Sequence, residues 1–376
     1  MTQTQFPGVW LPEDDPGRRQ FATLTGAGGR GFSFEGGGRL AKVTVAYETW
    51  GELNESRTNA VLVLHALTGD SHAAGPAGSG HAAVGWWDGL IGPGAAIDTN
   101  RYYVVSPNVL GGCQGTTGPA SWGPDGRYFG SRFPIITIRD QVAIEVALSE
   151  ELSIERWSAV LGGSMGGMRV LEWCVGQPDR VQRAVVLAVD AAASADQIAL
   201  CSLQIRAIRS DPAFMGGDYY PSGERPVDGL SIARGLGQFS YRTGAEFQSR
   251  FGRAPQEAED PLKGGRYAIE SYVQHQGEKL IERFDPNSYI VLSEAMNHHD
   301  LGRGRGGVGR ALRRVHAEVT VAGITSDRLY PLAQQEELVR HLPGDQPLQV
   351  IASESGHDGF LLELEQVGAI ISSALR

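Results

Sequence analysis

One stretch, residues 157–173, restricts the fold of this chain more than any other. A short apolar run ends at Leu161, the turn Gly-Gly-Ser-Met-Gly-Gly follows it, and the residues after the turn favour a helix. In the order strand, sharp turn and helix, a serine at the apex has an exposed hydroxyl. Glycines two positions before and after that serine let the strand and the helix approach closely. Ser164 is therefore predicted to be a nucleophile.

Apolar runs elsewhere in the chain predict the other strands of a mostly parallel sheet. They lie in residues 39–50, 59–64, 102–106, 183–189, 317–323 and 348–352. Continuous apolar runs are typical of strands buried on both faces, and strands that alternate with helices form parallel sheets covered by helices. Helices are expected at residues 138–152 and 360–375, and the glycine-rich residues 1–37 predict an arm and a loose hairpin.

The segment from Asp190 to about Arg314 differs in character from the rest. It has amphipathic stretches with Asp, Pro and Gly breaks, and it lacks a strong parallel-strand run. This pattern indicates a helical insertion at residues 190–314. The core is accordingly expected in two parts, residues 1–189 and residues 315–376, which form one sheet.

The composition indicates which kinds of binding partner and which cellular compartment to expect. The net charge of −10 argues against nucleic-acid and acidic-membrane partners. The three cysteines are widely spaced and form no C-x-x-C pair, which is typical of reduced thiols in a cytosolic protein. A secretory signal pattern and a run of about 18 apolar residues are both missing, so the sequence predicts a cytoplasmic protein without a membrane span.

A serine nucleophile needs a base and a carboxylate, and chain order restricts the choice. In a sheet of this kind both follow the serine, each at the carboxyl end of a later strand. Of the nine histidines, His357 alone follows the last predicted strand. Asp327 follows the strand that ends at Gly323, whereas Asp345, in a turn before the last strand, is the weaker alternative for the acid.

The chemistry gives each of these residues a role. His357 would take the proton of the Ser164 hydroxyl, because an unassisted serine is a poor nucleophile. Asp327 would hold the imidazole in the productive tautomer and stabilise its charged form. The backbone N–H groups of Met165 and Leu67 would donate to the oxyanion, and one such donor is worth about 3 kcal/mol in the transition state.

Other motifs in the chain have simpler explanations than a second site. Residues 297–300 read Asn-His-His-Asp, but adjacent histidines point in different directions and no H-E-x-x-H motif occurs, which disfavours a metal site. The Arg/Gly run at 303–310 is one short copy in an acidic protein, so it predicts a loop rather than an RNA-binding segment. The glycine-rich turns lack G-x-x-x-x-G-K-[ST], so they do not predict a nucleotide phosphate site.

Several motifs taken together resemble the homoserine O-acetyltransferases of methionine biosynthesis, particularly the actinobacterial members. The similarity runs from about residue 40 to the C-terminus, and it is carried by HALTGD from residue 65, NVLGGCQGTTGP from 108, GGSMGGMR from 162, TSDRLYP from 325 and GHDGF from 356. The resemblance implies an α/β-hydrolase fold, with a mostly parallel sheet, helices on both faces and an inserted helical lid. It also implies a cytoplasmic homodimer whose lid helices pair.

The same resemblance implies a mechanism and a substrate site. Ser164 would accept the acetyl group of acetyl-CoA, and the acyl-enzyme would then acetylate the hydroxyl of L-homoserine. The amino acid would be held by an arginine and a tyrosine in the lid, here Arg234 and Tyr241, and by the aspartate after the catalytic histidine, here Asp358. Guanidinium and phenol groups suit a carboxylate, and a carboxylate suits an ammonium group. No cofactor is implied beyond acetyl-CoA as co-substrate, and no metal.

Three alternatives remain open from the sequence. A serine esterase would use the same three residues, because sequence does not reveal how well water is excluded. Related transferases use succinyl-CoA or L-serine, and the loops that shape the acyl pocket are not identifiable from the sequence. A non-catalytic binding protein on this fold would lack part of the triad, whereas all three residues are present here.

Overall fold

An eight-stranded sheet lies at the centre of the computed structural model, which describes residues 7–376. The strands in chain order are β1 Gln20–Leu24, β2 Phe32–Ser33, β3 Arg39–Leu40, β4 Val43–Trp50, β5 Ala60–Leu64, β6 Ile91–Gly92, β7 Ile97–Asp98, β8 Tyr103–Pro107, β9 Trp157–Gly163, β10 Val181–Leu187, β11 Glu318–Ile324 and β12 Gln349–Ile351. The main sheet has the order β1-β4-β8-β5-β9-β10-β11-β12. β4 pairs antiparallel with β1 and β8, and all pairs from β8 to β12 are parallel.

The central strands bury side chains on both faces of the sheet. Leu62 and Leu64 of β5 belong to one apolar core, whereas Val61 and Val63 belong to a second core on the opposite face. Every residue of β5 and β9 is buried. Burial on both faces explains the continuous apolar runs in the sequence, because a strand with one polar face would alternate apolar and polar residues.

Helices cover both faces of this sheet, and further helices lie in the segment between β10 and β11. They are α1 Ile138–Glu151, α2 Met165–Gly176, α3 Ala195–Ser210, α4 Val227–Tyr241, α5 Gly244–Arg250, α6 Ala268–Ile281, α7 Pro286–Asn297, α8 Val308–Leu312, α9 Leu332–His341, α10 Gly359–Leu362 and α11 Leu364–Ala374. α1 begins with a capping box, in which the Thr137 hydroxyl accepts from the Asp140 N–H and the Asp140 carboxylate accepts from the Thr137 N–H. Val367 and Ile371 of α11 pack into the second core.

Six helices, α3 to α8, lie between β10 and β11, where the sequence predicts an insertion. α3 packs against α4 and α7, and α4 packs against α6. A bridge between Ala192 and Asp300 closes the two ends of this segment on each other. We refer to the segment as the lid, and its exact division from the core at residues 190–314 stays a prediction.

The prediction for the N-terminal residues is wrong in one part. Gln20–Leu24, expected in an arm, forms β1 at the edge of the main sheet. The sequence signal is weak there because only Ala22 and Leu24 of this strand are buried. The expected hairpin corresponds to β2 and β3, and the part of the arm in residues 1–6 lies outside the described residues. The predicted helix at 360–375 is two helices, separated by the non-helical backbone of Glu363.

Neither a disulfide bond nor a helix that could span a membrane is found within residues 7–376. All three cysteines are buried and unpaired, and burial raises the pKa of the Cys174 thiol to about 12. Within residues 7–376, none of the helices combines the length and the apolar character that crossing a membrane requires.

Candidate active site

Ser164 lies between β9 and α2 in a strained backbone conformation. Its φ of 54° and ψ of −128° fall in a region that residues with a Cβ rarely occupy. The glycines on either side are required by contact: a Cβ at Gly162 would lie 2.7 Å from the Gly166 backbone, and a Cβ at Gly166 would lie 2.1 Å from the Leu64 carbonyl oxygen. The strand, turn and helix predicted for residues 157–173 are therefore present.

His357 and Asp327 join Ser164 in one chain of hydrogen bonds. The Ser164 Oγ lies 2.9 Å from Nε2 of His357, and Nδ1 of His357 lies 2.6 Å from the Asp327 carboxylate. The second Asp327 oxygen accepts from the backbone N–H groups of Leu329 and Tyr330, which fixes the orientation of the carboxylate. All three residues are buried, which differs from the exposed hydroxyl predicted for Ser164, so water competes little for these bonds.

The two partners of Ser164 follow consecutive strands, as the chain-order argument predicts. Asp327 follows β11, and His357 follows β12. Asp345, the weaker candidate for the acid, lies in an exposed segment between α9 and β12. The imidazole Nδ1 is bonded to Asp327, so the structure brings this aspartate and not Asp345 to the histidine. Their catalytic roles stay predictions.

Two opposing effects act on the pKa of His357. Burial of the imidazole is the largest single effect and lowers the pKa. Attraction and the hydrogen bond to the Asp327 carboxylate, together with attraction to Asp358, raise the pKa by more, so that it lies above 6.5. The rings of Tyr330 and Phe360 pack around the imidazole, with centroids 5.0 and 5.5 Å away. These two aromatic residues were not predicted from the sequence, and their only signal is that each lies three residues after a member of the predicted triad.

The predicted oxyanion donors lie on the two segments that flank the nucleophile. Met165 is the first residue of α2, where a backbone N–H has no partner within its own helix. Leu67 lies in the loop after β5, close to His65. Nε2 of His65 accepts from the Val109 N–H at 3.0 Å. Burial lowers the pKa of His65 to about 3, so its ring stays neutral and remains an acceptor.

A buried ion pair that the sequence analysis did not identify connects this loop to α2. Arg169 of α2 lies 2.7 Å from the Glu145 carboxylate and also donates to the carbonyl of His65. The Trp173 indole donates to the other oxygen of Glu145 at 2.8 Å. The ion pair therefore fixes the loop that carries Leu67 relative to the helix that begins after the nucleophile. The available signal was the presence of two charged residues, Arg169 and Glu172, in a mostly apolar helix.

Two of the predicted substrate residues, Tyr241 and Asp358, lie beside His357, and the third, Arg234, lies over the Tyr241 ring. The Arg234 guanidinium lies 5.6 Å from the centre of the Tyr241 ring, and that ring lies 5.9 Å from the imidazole. Burial raises the pKa of Tyr241 to about 12, so its phenol stays protonated. Arg234 and Asp358 line one cavity of about 280 Å³. The structure thus brings a guanidinium, a phenol and a carboxylate to the proposed base.

A cluster of Glu48, His72 and His81 was missed by the sequence analysis. These residues are buried, and one possible ligand atom from each lies within 4.8 Å of the others. The two imidazoles, however, stack with centroids 3.8 Å apart and planes 10° apart. A metal ion lies close to the plane of each imidazole that binds it, and no point is close to two nearly parallel planes at this separation. The contact of 2.9 Å between His72 and Glu48 is therefore better described as a hydrogen bond, which becomes an ion pair when His72 is protonated.

The Asn-His-His-Asp motif at 297–300 and the Arg/Gly run at 303–310 both contact other parts of the protein. His299 is buried, and its Nε2 lies 3.1 Å from a backbone carbonyl, while burial lowers its pKa to about 4. His298 lines a cavity of about 470 Å³ that contains none of the predicted site residues. Arg303 lies 2.7 Å from a glutamate of the N-terminal segment. The loop predicted at 303–310 ends earlier than expected, because α8 begins at Val308.

Comparisons with known proteins agree with the fold and with the motifs. Residues 59–364 match the family model for the alpha/beta hydrolase fold. The homoserine O-acetyltransferase of Thermobifida fusca (strain YX) is 58% identical over 98% of this chain and 96% of its own length. The homoserine O-acetyltransferase structure from Bacillus anthracis is 28% identical with a TM-score of 0.85, and covers 95% of this chain and 97% of its own.

An esterase has a very similar structure. Esterase E22 is 27% identical with a TM-score of 0.86, and the match covers 95% of this chain and 99% of the esterase. The fold is therefore shared by transferases and hydrolases, whereas the high identity over nearly the full length is with transferases. The chain belongs to the homoserine O-acetyltransferase family, on the α/β-hydrolase fold.

Proposed function

We propose that the protein is an acyltransferase that moves an acetyl group from acetyl-CoA to the hydroxyl of L-homoserine through an acetyl ester on Ser164. One observation carries this proposal: the Ser164 hydroxyl lies 2.9 Å from His357 in a chain that is 58% identical to a homoserine O-acetyltransferase. The activity belongs to amino-acid biosynthesis, and the family resemblance associates it with methionine.

In the first half-reaction the serine takes the acetyl group. His357 accepts the Ser164 proton while Oγ attacks the thioester carbonyl, and the oxyanion accepts from the N–H groups of Met165 and Leu67. When the intermediate collapses, the C–S bond breaks and the imidazolium returns its proton to the CoA thiolate. Asp327 stabilises the imidazolium between these two transfers, which its hydrogen bond of 2.6 Å supports.

In the second half-reaction the amino acid removes the acetyl group. Arg234 and Tyr241 hold the carboxylate of homoserine, and Asp358 holds its ammonium group. His357 removes the hydroxyl proton, and the oxygen attacks the acetyl ester. The C–O bond to Ser164 then breaks, and the serine regains its proton. The steps use only side chains and backbone groups of this chain together with the two substrates.

Mass spectrometry of the intact protein tests the proposal directly. Exposure to acetyl-CoA should add one acetyl group, and Ser164→Ala should abolish the addition. The same measurement with succinyl-CoA tests the alternative donor. An unmodified wild-type protein after exposure to acetyl-CoA would contradict the proposed intermediate.

Hydrolysis of acetyl esters is the second candidate function. It is favoured by the structural similarity to esterase E22, at a TM-score of 0.86. The two functions differ in the acceptor that enters the site, which is water in the hydrolase and an amino acid in the transferase. Release of CoA should depend on homoserine if the transferase proposal is right, and continuous release without homoserine would favour the hydrolase. Parallel assays with L-serine test the other acceptor.

We further propose that the protein is a cytoplasmic homodimer that pairs through the lid. Ile232 and Phe239 of α4 are seven residues apart and each is 59% exposed, so they form an apolar stripe that a second copy would cover. The variant with Ile232→Glu and Phe239→Glu should sediment as a monomer in analytical ultracentrifugation. A dimer that persists in this variant would exclude this face as the interface.

A further inference from the structure

The cavity lined by Arg234 and by Asp358, the residue after His357, contains more positive charge than binding of the amino acid requires. Its wall includes Arg242 and Arg250 in addition to Arg234. In the proposed function Arg234 alone pairs with the substrate carboxylate. The other two guanidinium groups, at the end of α4 and in α5, have no role in that step.

Arg242 has hydrogen-bond donors without acceptors. Its Nε and Nη1 are buried and have no hydrogen-bond partner within residues 7–376. The nearest carboxylates are those of Glu246, 3.2 Å from Nη2, and Asp358, 3.7 Å from Nη1. A guanidinium is always charged, and leaving its buried donors unsatisfied costs free energy. These two nitrogen atoms have almost no accessible surface, so an anionic ligand in the cavity would accept from them once the guanidinium turns toward it.

Arg250 is held by contacts with its neighbours, although its side chain is 42% exposed. The guanidinium lies 2.8 Å from the Glu246 carboxylate and 4.8 Å from the centre of the Tyr272 ring. The Tyr272 hydroxyl accepts from the Gln238 amide at 2.9 Å, which fixes the ring between α4 and α6. Arg250 is therefore positioned at the cavity by an ion pair and by an aromatic face.

We propose that Arg242 and Arg250 bind the phosphate groups of acetyl-CoA, while the pantetheine arm leads from this cavity to Ser164. The inference rests on the proposed function, because it concerns the donor in that reaction. Guanidinium groups bind phosphate oxygens through paired, charge-assisted hydrogen bonds. A protein with a net charge of −10 repels a polyanionic donor at long range, so it requires a local positive site to bind one.

The charge balance of the cavity supports a donor site as well as an acceptor site. Arg234, Arg242 and Arg250 face two carboxylates, Asp358 and Glu246, so one positive charge is left over. In the proposed mechanism CoA departs before the amino acid binds. One cavity can therefore bind the phosphates first and the amino acid afterwards.

The test compares two acetyl donors that share the thioester. S-acetylpantetheine lacks every phosphate of acetyl-CoA. Arg250→Gln should raise the KM for acetyl-CoA about tenfold, because one partly exposed charge-assisted contact is lost, and should not raise the KM for S-acetylpantetheine. Arg250→Lys retains the charge and should recover most of the affinity for acetyl-CoA.

Arg253→Gln is the matched control for this experiment. Arg253 also lies over a tyrosine ring, 5.7 Å from the centre of Tyr267, but it does not line the cavity. Its replacement should leave the KM of both donors unchanged.

A measurement on the wild-type protein avoids any effect of mutation on folding. Added salt should raise the KM for acetyl-CoA and not the KM for S-acetylpantetheine, because salt screens the phosphate contacts.

Two results would overturn the inference. One is an equal increase in KM for both donors in Arg250→Gln, and the other is an unchanged KM for acetyl-CoA in a variant that melts like the wild type. Failure of the proposed function has a different signature, since the wild-type protein would then form no acetyl-Ser164 from either donor.

Discussion

The Thr243 hydroxyl donates a hydrogen bond of 2.7 Å to the carbonyl of Glu354. This bond joins the residue that caps α5 in the lid to the loop that carries His357. A second contact reinforces it, because a Cβ at Gly356 would lie only 2.3 Å from the Tyr241 carbonyl oxygen. The end of α4 is therefore held against the loop of the proposed base, which fixes the proposed amino-acid site relative to the proposed triad.

Asp327→Asn should lower kcat by about 10⁴-fold, because an amide no longer holds the imidazole in the productive tautomer or stabilises its charge. Steady-state assays with acetyl-CoA and homoserine measure the effect. Asp345→Asn is the control and should have wild-type activity, since Asp345 is exposed and away from the imidazole. The reverse pattern would show that the acid has been assigned to the wrong residue.

The pH dependence of kcat/KM should reflect the raised pKa of His357. Only the neutral imidazole accepts the serine proton, so activity should be lost as the pH falls through a pKa above 6.5. In Asp327→Asn the raising effect of the carboxylate is removed while burial still lowers the pKa. The acid limb of the residual activity should therefore move to lower pH. An acid limb at the same pH in both proteins would contradict this assignment.

Arg234→Ala should raise the KM for homoserine far more than the KM for acetyl-CoA. Loss of one hydrogen-bonded charge pair corresponds to an increase of about 10- to 100-fold. Arg206→Ala is the matched control, since Arg206 lines the cavity that lacks the site residues. Unchanged homoserine dependence in Arg234→Ala would mean that the amino-acid site is wrong even if the triad is right.

Gly166→Ala should destabilise the fold as well as remove activity. The added Cβ would lie 2.1 Å from the Leu64 carbonyl oxygen, so β5 or α2 must shift to accommodate it. We expect the free energy of unfolding to fall by about 1–3 kcal/mol, as in other overpacked sites. Gly244→Ala is the control, since nothing lies within 4 Å of the position its Cβ would take. Equal denaturation midpoints for the two variants would contradict the close approach.

The positions of Ser164, Asp327 and His357 could be predicted because the chemistry restricts both residue type and chain order. The nucleophile needs a strained turn between a strand and a helix, and its partners must follow later strands at the same sheet edge. Long apolar runs mark those strands, so each candidate could be placed at a strand end. Arg234 and Tyr241 followed from the family resemblance alone, since helix periodicity does not show which face of the lid meets the core.

Contacts that depend on packing between distant segments could not be predicted. Arg169 and Glu145 are 24 residues apart and meet only because α1 packs against α2. β1 was not predicted for a related reason. An edge strand buries few side chains, and backbone hydrogen bonds hold it to the neighbouring strand. In both cases the partner, and not the local sequence, determines the structure.

The separation of Ser164 from His357 has a consequence for synthesis of the chain. The two residues are 193 positions apart, and the whole lid lies between them. A ribosome therefore delivers the hydroxyl long before the imidazole that is proposed to activate it. Under the proposed mechanism, an unfinished polypeptide carries an inert alcohol, and it cannot consume thioester in the cell until its final strand has joined the sheet.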